Sequence, residues 1–230
     1  MTVTSDERQT HEFRKIGTSL IGGVLDDLKI DGLLPGLRPI SKPAAFAGAA
    51  FTVKASVSAR DTYPPSAFDI PAYIDGASAG DVIVIDAGGL PVSLLGGIAV
   101  LVAERRGVAA IVVHGGVRDG DEIANSSLPV LARHIVPVSG RTRIRIEATQ
   151  APIAIDGCSI TPGDLIVGDG SGVVCVPDSR RLAVLEQAKR FYRRDELARA
   201  AVERGANFAE AFASAHRSLG AGYTSSGQPK

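Results

Sequence analysis

Two stretches of this 230-residue chain set chemically capable side chains beside glycine pairs. One is Asp86-Ala87-Gly88-Gly89, which leads to Gly96-Gly97 near the start of an apolar helical segment. The other is Gly115-Gly116-Val117-Arg118-Asp119. A helix starting near Gly97 would present the unpaired amides of Gly97, Ile98 and Ala99. Those amides and the helix dipole favour a carboxylate or phosphate. Arg118 can clamp an anion through two N–H groups. Asp119 is a hard oxygen ligand suited to Mg²⁺ or Mn²⁺. Together they suit enolate chemistry on a 2-oxo acid: the cation polarises the carbonyl and Arg118 stabilises the developing negative charge. The plain alternative is a surface ion pair or helix cap at Arg118-Asp119.

The elements that must carry these residues form a β-α-β unit. Val82-Ile83-Val84-Ile85 is a short apolar run of buried-strand type. A helix follows between Leu94 and Arg106, stopped by Gly107. Val108 to Val113 is a second buried strand, and Gly115-Gly116 is expected to turn the chain. A right-handed crossover makes the two strands parallel and brings both glycine-rich loops to one edge of the sheet, where ligands of α/β folds bind. Upstream, residues 13–29 read as one helix, 47–57 as a strand and 66–77 as a helix. Downstream, strand-like pieces at 128–131, 143–147, 152–156, 164–167 and 173–177 alternate with Pro and Gly turns. Residues 179–216 read as one or two amphipathic helices. The expected organisation is an α/β core over 1–177, a helical extension over 178–220 and a disordered tail over 221–230.

Composition removes several classes of function. Lys and Arg number 25, as do Asp and Glu, so the net charge is zero. That balance lacks the basic excess that phosphate-backbone binding usually needs. Hydrophobic residues make up 45% of the chain, ample for a core. Two cysteines exclude a disulfide scaffold. The longest uncharged stretch, Ala87 to Ala103, falls short of a membrane span and is broken by Pro91 and two Gly-Gly pairs. The N-terminus is polar and mixed in charge, unlike a signal peptide. A soluble, cytoplasmic protein that binds neither nucleic acid nor membrane is expected.

Other features have plainer readings. Gly168-Asp169-Gly170-Ser171-Gly172 lacks the Lys-Ser/Thr of a phosphate loop and reads as a tight turn. Cys158 and Cys175 have no metal-ligand spacing and read as packing thiols. His11, His114, His134 and His216 are scattered, and His114 alone stands near the glycine loops. Arg141, Arg143 and Arg145 alternate along one strand face, a solvated edge or subunit contact rather than an RNA surface.

The stretch from Gly96-Gly97-Ile98 through Glu104-Arg105-Arg106-Gly107-Val108 to Val113-His114-Gly115-Gly116-Val117-Arg118-Asp119 resembles the RraA-like family. Gly80-Asp81-Val82-Ile83-Val84-Ile85-Asp86, Leu128-Pro129-Val130, Pro162 to Asp169 and Gly172 to Pro177 extend the resemblance over about residues 12–210. The family contains metal-dependent 4-hydroxy-4-methyl-2-oxoglutarate / 4-carboxy-4-hydroxy-2-oxoadipate aldolases and regulators of ribonuclease activity. The resemblance implies a swivelling β/β/α fold, a homotrimer or homohexamer, and active sites between subunits. It assigns the metal to Asp119, pyruvate and its enolate to Arg118, and the substrate carboxylate to the amides at Gly97, Ile98 and Ala99. It also implies a catalytic Glu from a neighbouring subunit's C-terminal region, with Glu196 first by position and Glu203 second.

One position departs from the aldolase pattern, which is an acid, twenty residues, then Arg-Asp. Ile98 to Val117 is twenty residues, but the position before it is Gly97. In the aldolases that acid helps order metal-bound water, including the proton donor to the enolate, and Asp86 or Glu122 could substitute for it here. The expected function is a divalent-metal-dependent lyase acting on a small 2-oxo acid, by aldol cleavage or decarboxylation. The alternative is a non-catalytic, protein-binding regulator.

Overall fold

The structure is a computed structural model that describes residues 5–42 and 44–219. The tail expected at 221–230 lies outside the described residues. The remainder is a mixed α/β domain built on a nine-stranded sheet, with helices at its C-terminal end.

Four strands form the parallel centre: β3 (Phe46–Val57), β4 (Val82–Asp86), β5 (Ala110–Val117) and β6 (Val130–Ile135). Two short strands, β1 (Leu33–Leu34) and β2 (Arg38–Pro39), close the two edges. β7 (Ile144–Thr149) pairs with the second half of β3. The hairpin of β8 (Ile153–Ile155) and β9 (Cys158–Ile160) stands apart as its own ribbon. β10 (Leu165–Asp169) and β11 (Gly172–Val176) extend the sheet beyond β3, giving the order β1-β11-β10-β3-β4-β5-β6-β2.

The unbroken apolar runs in β4 and β5 follow from burial on both faces. Ile83, Ile85, Ile111 and Val113 face one core, which includes Val100 and Ala103 of α4 (Gly97–Arg105) and Ile123 of α5 (Gly120–Ala124). Val82, Val84 and Val112 face another, closed by Ile153, Ile155 and Ile160 of the hairpin. A third core joins β10 and β11 to α1 (Ser5–Ile16), α2 (Thr18–Asp27) and α6 (Arg181–Glu203). α7 (Phe208–Ser218) packs on α6 through Ala198, Ala201, Ala211 and Ala215.

Four local expectations change. The helix expected over 13–29 is two helices, broken at Gly17, whose φ of 86° suits glycine. The helix expected over 66–77 is a 3-10 turn, Pro65–Ala67, and a single turn α3 (Pro71–Ile74), because prolines interrupt the N–H supply. The piece expected at 152–156 belongs to a hairpin whose second strand, β9, lacked a sequence signal of its own. Gly115-Gly116 is not a turn, because β5 runs through it to Val117. A Cβ at Gly116 would lie 2.8 Å from Val136 Cγ2 and 2.9 Å from the Val92 carbonyl. The glycine pair therefore serves close packing, and the chain turns only at Arg118-Asp119.

Candidate active site

The site forms where the chain leaves β5 and where α4 begins. Residues 92–95 run beside the end of β5: Leu94 N–H donates to the Gly116 carbonyl (2.9 Å) and Arg118 N–H to the Leu95 carbonyl (3.1 Å). Tyr73, fully buried, donates its hydroxyl to the Leu94 carbonyl at 2.5 Å. Burial pushes that phenol far above its usual range, so it stays a neutral donor. These bonds fix Gly96, which caps α4 without any side-chain cap. Asp119 adopts the left-handed conformation (φ 57°, ψ 45°), which Asp tolerates better than most residues.

That geometry aims the Asp119 carboxylate back at α4. Its Oδ2 accepts the Gly97 N–H at 3.1 Å and lies 3.7 Å from Arg118 Nε. Neither partner is sequestered, the side chains of Arg118 and Asp119 being 48% and 44% exposed. The amides of Ile98 and Ala99 have no partner among the described residues. A cavity of about 250 Å³ opens beside them. Ile70, Pro71, Ile74 and Val102 supply its apolar wall, and Arg118 and Asp119 reach it with Gly96. An apolar cleft with a few convergent polar groups is the usual form of a small-molecule site.

The structure brings Gly97, Ile98, Ala99, Arg118 and Asp119 together. Gly97 spends its amide on Asp119, leaving two free amides for an incoming anion. Glu196 is elsewhere, exposed on α6, a helix packed against α1, α2 and α7. It does not join this cluster within one chain.

Asp86 and His114 also stand apart. Asp86 bonds His114 Nδ1 at 2.7 Å and accepts the Gly88 N–H at 3.0 Å. His114 is buried, and its other nitrogen points toward Asp156 in the β8–β9 turn (3.8 Å). Burial alone would raise the Asp86 pKa. The His114 and Gly88 hydrogen bonds and the nearby charges of His114 and Lys54 outweigh it and hold the pKa below the usual carboxylate value. This pair ties β4 and β5 to the hairpin and does not face the α4 cavity.

A structural role also accounts for the other sequence features. Asp169 in the glycine-rich turn accepts the Thr18 N–H (2.8 Å) and hydroxyl (2.7 Å), capping α2 from a distant segment. Arg145 pairs with Glu147 and lies over the Tyr63 ring. Cys158 and Cys175 are buried in one core. Missed by sequence reading were Gly96 as a packing position and Tyr73 as a support for the loop, since neither contact has a local pattern.

Among the described residues no three His, Cys, Asp or Glu side chains converge as a metal cage. Asp119 offers a single hard carboxylate, and Mg²⁺ or Mn²⁺ keeps most of its shell as water and substrate oxygens and needs only one or two carboxylates.

An open α/β sheet with unpaired amides at a helix start and an Arg-Asp pair at one strand end has the form of a small-molecule site. The RraA-like family model, described as Aldolase/RraA, matches residues 22–175, and the chain belongs to that family. A protein provisionally named 4-hydroxy-4-methyl-2-oxoglutarate aldolase from Burkholderia mallei is 34% identical over 180 residues, covering 78% of this chain and 98% of that protein. One with the same provisional name from Halalkalibacterium halodurans is 32% identical, covering 80% and 84%. Protein DlpA of Legionella pneumophila is 30% identical over 83% of this chain, which spans only 31% of that protein's length. Among solved structures, an uncharacterised protein from Pseudomonas syringae superposes with a TM-score of 0.80 at 30% identity, covering 92% of this chain and 99% of that one. RraAS2 of Streptomyces coelicolor, described as an unusual member of the RNase ES inhibitor RraA family, shares the fold at TM-score 0.74 and 24% identity, covering 86% and 99%. No helix among the described residues is long and apolar enough to cross a membrane.

Proposed function

We propose that the chain is a divalent-metal-dependent lyase that breaks the C–C bond one carbon away from the ketone of a small 2-oxo acid. One observation carries this reading: Arg118, Asp119 and the free amides of Ile98 and Ala99 meet at the mouth of a single cavity. The provisional aldolase names of two relatives support it.

The amides of Ile98 and Ala99, at the positive end of α4, hold the substrate carboxylate. Asp119 holds the cation, which when bound supplies electron withdrawal from the keto oxygen. Arg118 stabilises the negative charge that grows there. In oxaloacetate decarboxylation the bond from the methylene to the distal carboxylate breaks. Its electron pair passes to the enolate, CO₂ leaves, and a proton converts the enolate to pyruvate. Ile70, Ile74 and Val102 supply an apolar wall beside the reacting atoms. In a trimer or hexamer, Glu196 on α6 would serve a neighbouring copy's site.

The test is oxaloacetate decarboxylation with and without Mg²⁺, comparing wild type with Arg118→Ala. The expected result is Mg²⁺-dependent turnover that falls about 10²–10³-fold in the variant, the usual cost of removing one charge-stabilising donor. No turnover on oxaloacetate or several other 2-oxo acids would refute the proposal. A second reading, a non-catalytic protein-binding regulator, is favoured by one observation. Ile98 is 77% exposed beside exposed Leu101 and Val102 on α4, an apolar strip suited to a protein contact. Metal-dependent turnover lost in Arg118→Ala would exclude it as the sole role.

A further inference from the structure

Gly97 carries no side chain, yet the space above its Cα is filled. A Cβ built there would lie 2.0 Å from Glu122 Cδ and 2.1 and 2.4 Å from the two carboxylate oxygens, the three nearest atoms. Glu122 thus lays its carboxylate directly on the first turn of α4. It stands in the first turn of α5, three residues after Asp119, which precedes that helix in the left-handed conformation. Asp119 holds the Gly97 N–H while Glu122 covers the Gly97 Cα, so a single residue receives both carboxylates. The Glu122 carboxylate is exposed and has no hydrogen bond or ion pair among the described residues. Glu122 and Gly97 line a second cavity, distinct from the one at Arg118 and Asp119; Glu104, which lines it too, is instead spoken for by the hydroxyls of Ser127 and Ser126. Asp86, the other acid within a few residues of the glycine loops, is committed to His114 and Gly88 on the hairpin side.

We propose that Glu122 is the second carboxylate of the Asp119 site, a positioning residue that strengthens divalent-cation binding by accepting hydrogen bonds from the cation's water shell. This rests on the proposed metal-dependent function. The absence of a side chain at Gly97 is then a fitted feature, because any Cβ there would evict the carboxylate. The carboxylate is the mobile end of a flexible side chain and Gly97 is already helical, so the eviction has little structural cost. A merely structural Glu122, placed at a helix start for its dipole, would affect stability and leave cation affinity unmoved.

The experiment measures Mn²⁺ affinity by calorimetry and by electron paramagnetic resonance on the full chain, with a thermal melt of each variant. Glu122→Gln is expected to weaken Mn²⁺ about tenfold, in the range for removing an outer partner of a metal ligand. Gly97→Ala is expected to weaken it similarly without lowering the melting temperature. The double variant Gly97→Asp with Glu122→Gln is expected to return to within threefold of wild type. Glu104→Gln is expected to bind as wild type does. Wild-type affinity in Glu122→Gln, or an equal loss in Glu104→Gln, would overturn the inference while leaving the proposed function intact. No Mn²⁺ binding by wild type would overturn both, and abolition by Asp119→Ala alone would leave only the proposed function standing.

Discussion

Gly96→Ala separates the site's chemistry from the fold's stability. Gly96 has φ −139° and ψ −169°, extended backbone that alanine adopts without strain. The added Cβ, however, would lie 2.2 Å from Asp119 Oδ2 and 3.1 Å from Arg118 Cγ and Nε. Reaching an ordinary contact of 3.4 Å requires the carboxylate to retreat by about 1.2 Å. Asp119 cannot retreat as a rigid unit, because its left-handed backbone is held between β5 and α5. Its side chain must swing, and the 3.1 Å bond to Gly97 N–H is lost. A displacement of about 1 Å in a positioning group costs about 10²-fold in rate, or about 2.7 kcal/mol of transition-state stabilisation. The folded state loses one partly exposed hydrogen bond, about 0.5–1.5 kcal/mol. Replacing glycine restricts the unfolded chain and returns about 0.4–1 kcal/mol. The variant should therefore keep its free energy of unfolding within about 1 kcal/mol of wild type. Its Mg²⁺-dependent oxaloacetate turnover should fall about a hundredfold, with a weaker apparent Mg²⁺ constant. Turnover within twofold of wild type at equal Mg²⁺ would refute the placement of Asp119 at the reacting centre.

Three further outcomes follow from the same structure. Tyr73→Phe removes the hydroxyl that donates to the buried Leu94 carbonyl and should lower stability by about 1–3 kcal/mol in urea denaturation. Gly168→Ala would drive a Cβ to 2.1 Å from the buried Phe46 ring, and overpacking of that kind should cost about 1–3 kcal/mol by the same assay. Asp86 and Asp169 both titrate below the usual carboxylate value in the fold. For each, burial works in the opposite direction and is outweighed by hydrogen bonds, from His114 and Gly88 to Asp86 and from Thr18 and Ser171 to Asp169. Their contribution is present above the unfolded value near 4 and is lost as pH falls through the lower folded value. Melting temperature should therefore drop below about pH 4, and less steeply in the double variant Asp86→Asn with Asp169→Asn.

The parallel centre was legible because burial on both faces writes β4 and β5 as uninterrupted runs, Val82–Ile85 and Ala110–Val113. Arg118, Asp119 and the start of α4 were legible because a crossover helix returns the chain to the same sheet edge. The glycines were harder to interpret. Gly17 breaks a helix through its positive φ, whereas Gly115 and Gly116 stay in a strand and make room for Leu94, Ala87, Val92 and Val136. Sequence spacing does not separate those uses, since the atoms that crowd a missing Cβ come from other segments. For the same reason, Glu122 could be named beside Asp86 as a replacement acid, but only their tertiary partners distinguish the two. Asp86 is bound to His114, and Glu122 lies on Gly97. The breakdown of residues 66–77 into two short turns reflects Pro71 and the use of Tyr73 as a support beneath the loop.

The most direct measurement is a crystal structure of the protein soaked with Mn²⁺ and oxalate, a planar mimic of the pyruvate enolate. An anomalous manganese peak bonded to the Asp119 carboxylate is predicted, with oxalate on that ion, one of its carboxylates at the Ile98 and Ala99 amides, and Arg118 against its oxygens. Well-ordered crystals with no manganese at Asp119, or with oxalate held away from Arg118, would contradict the account.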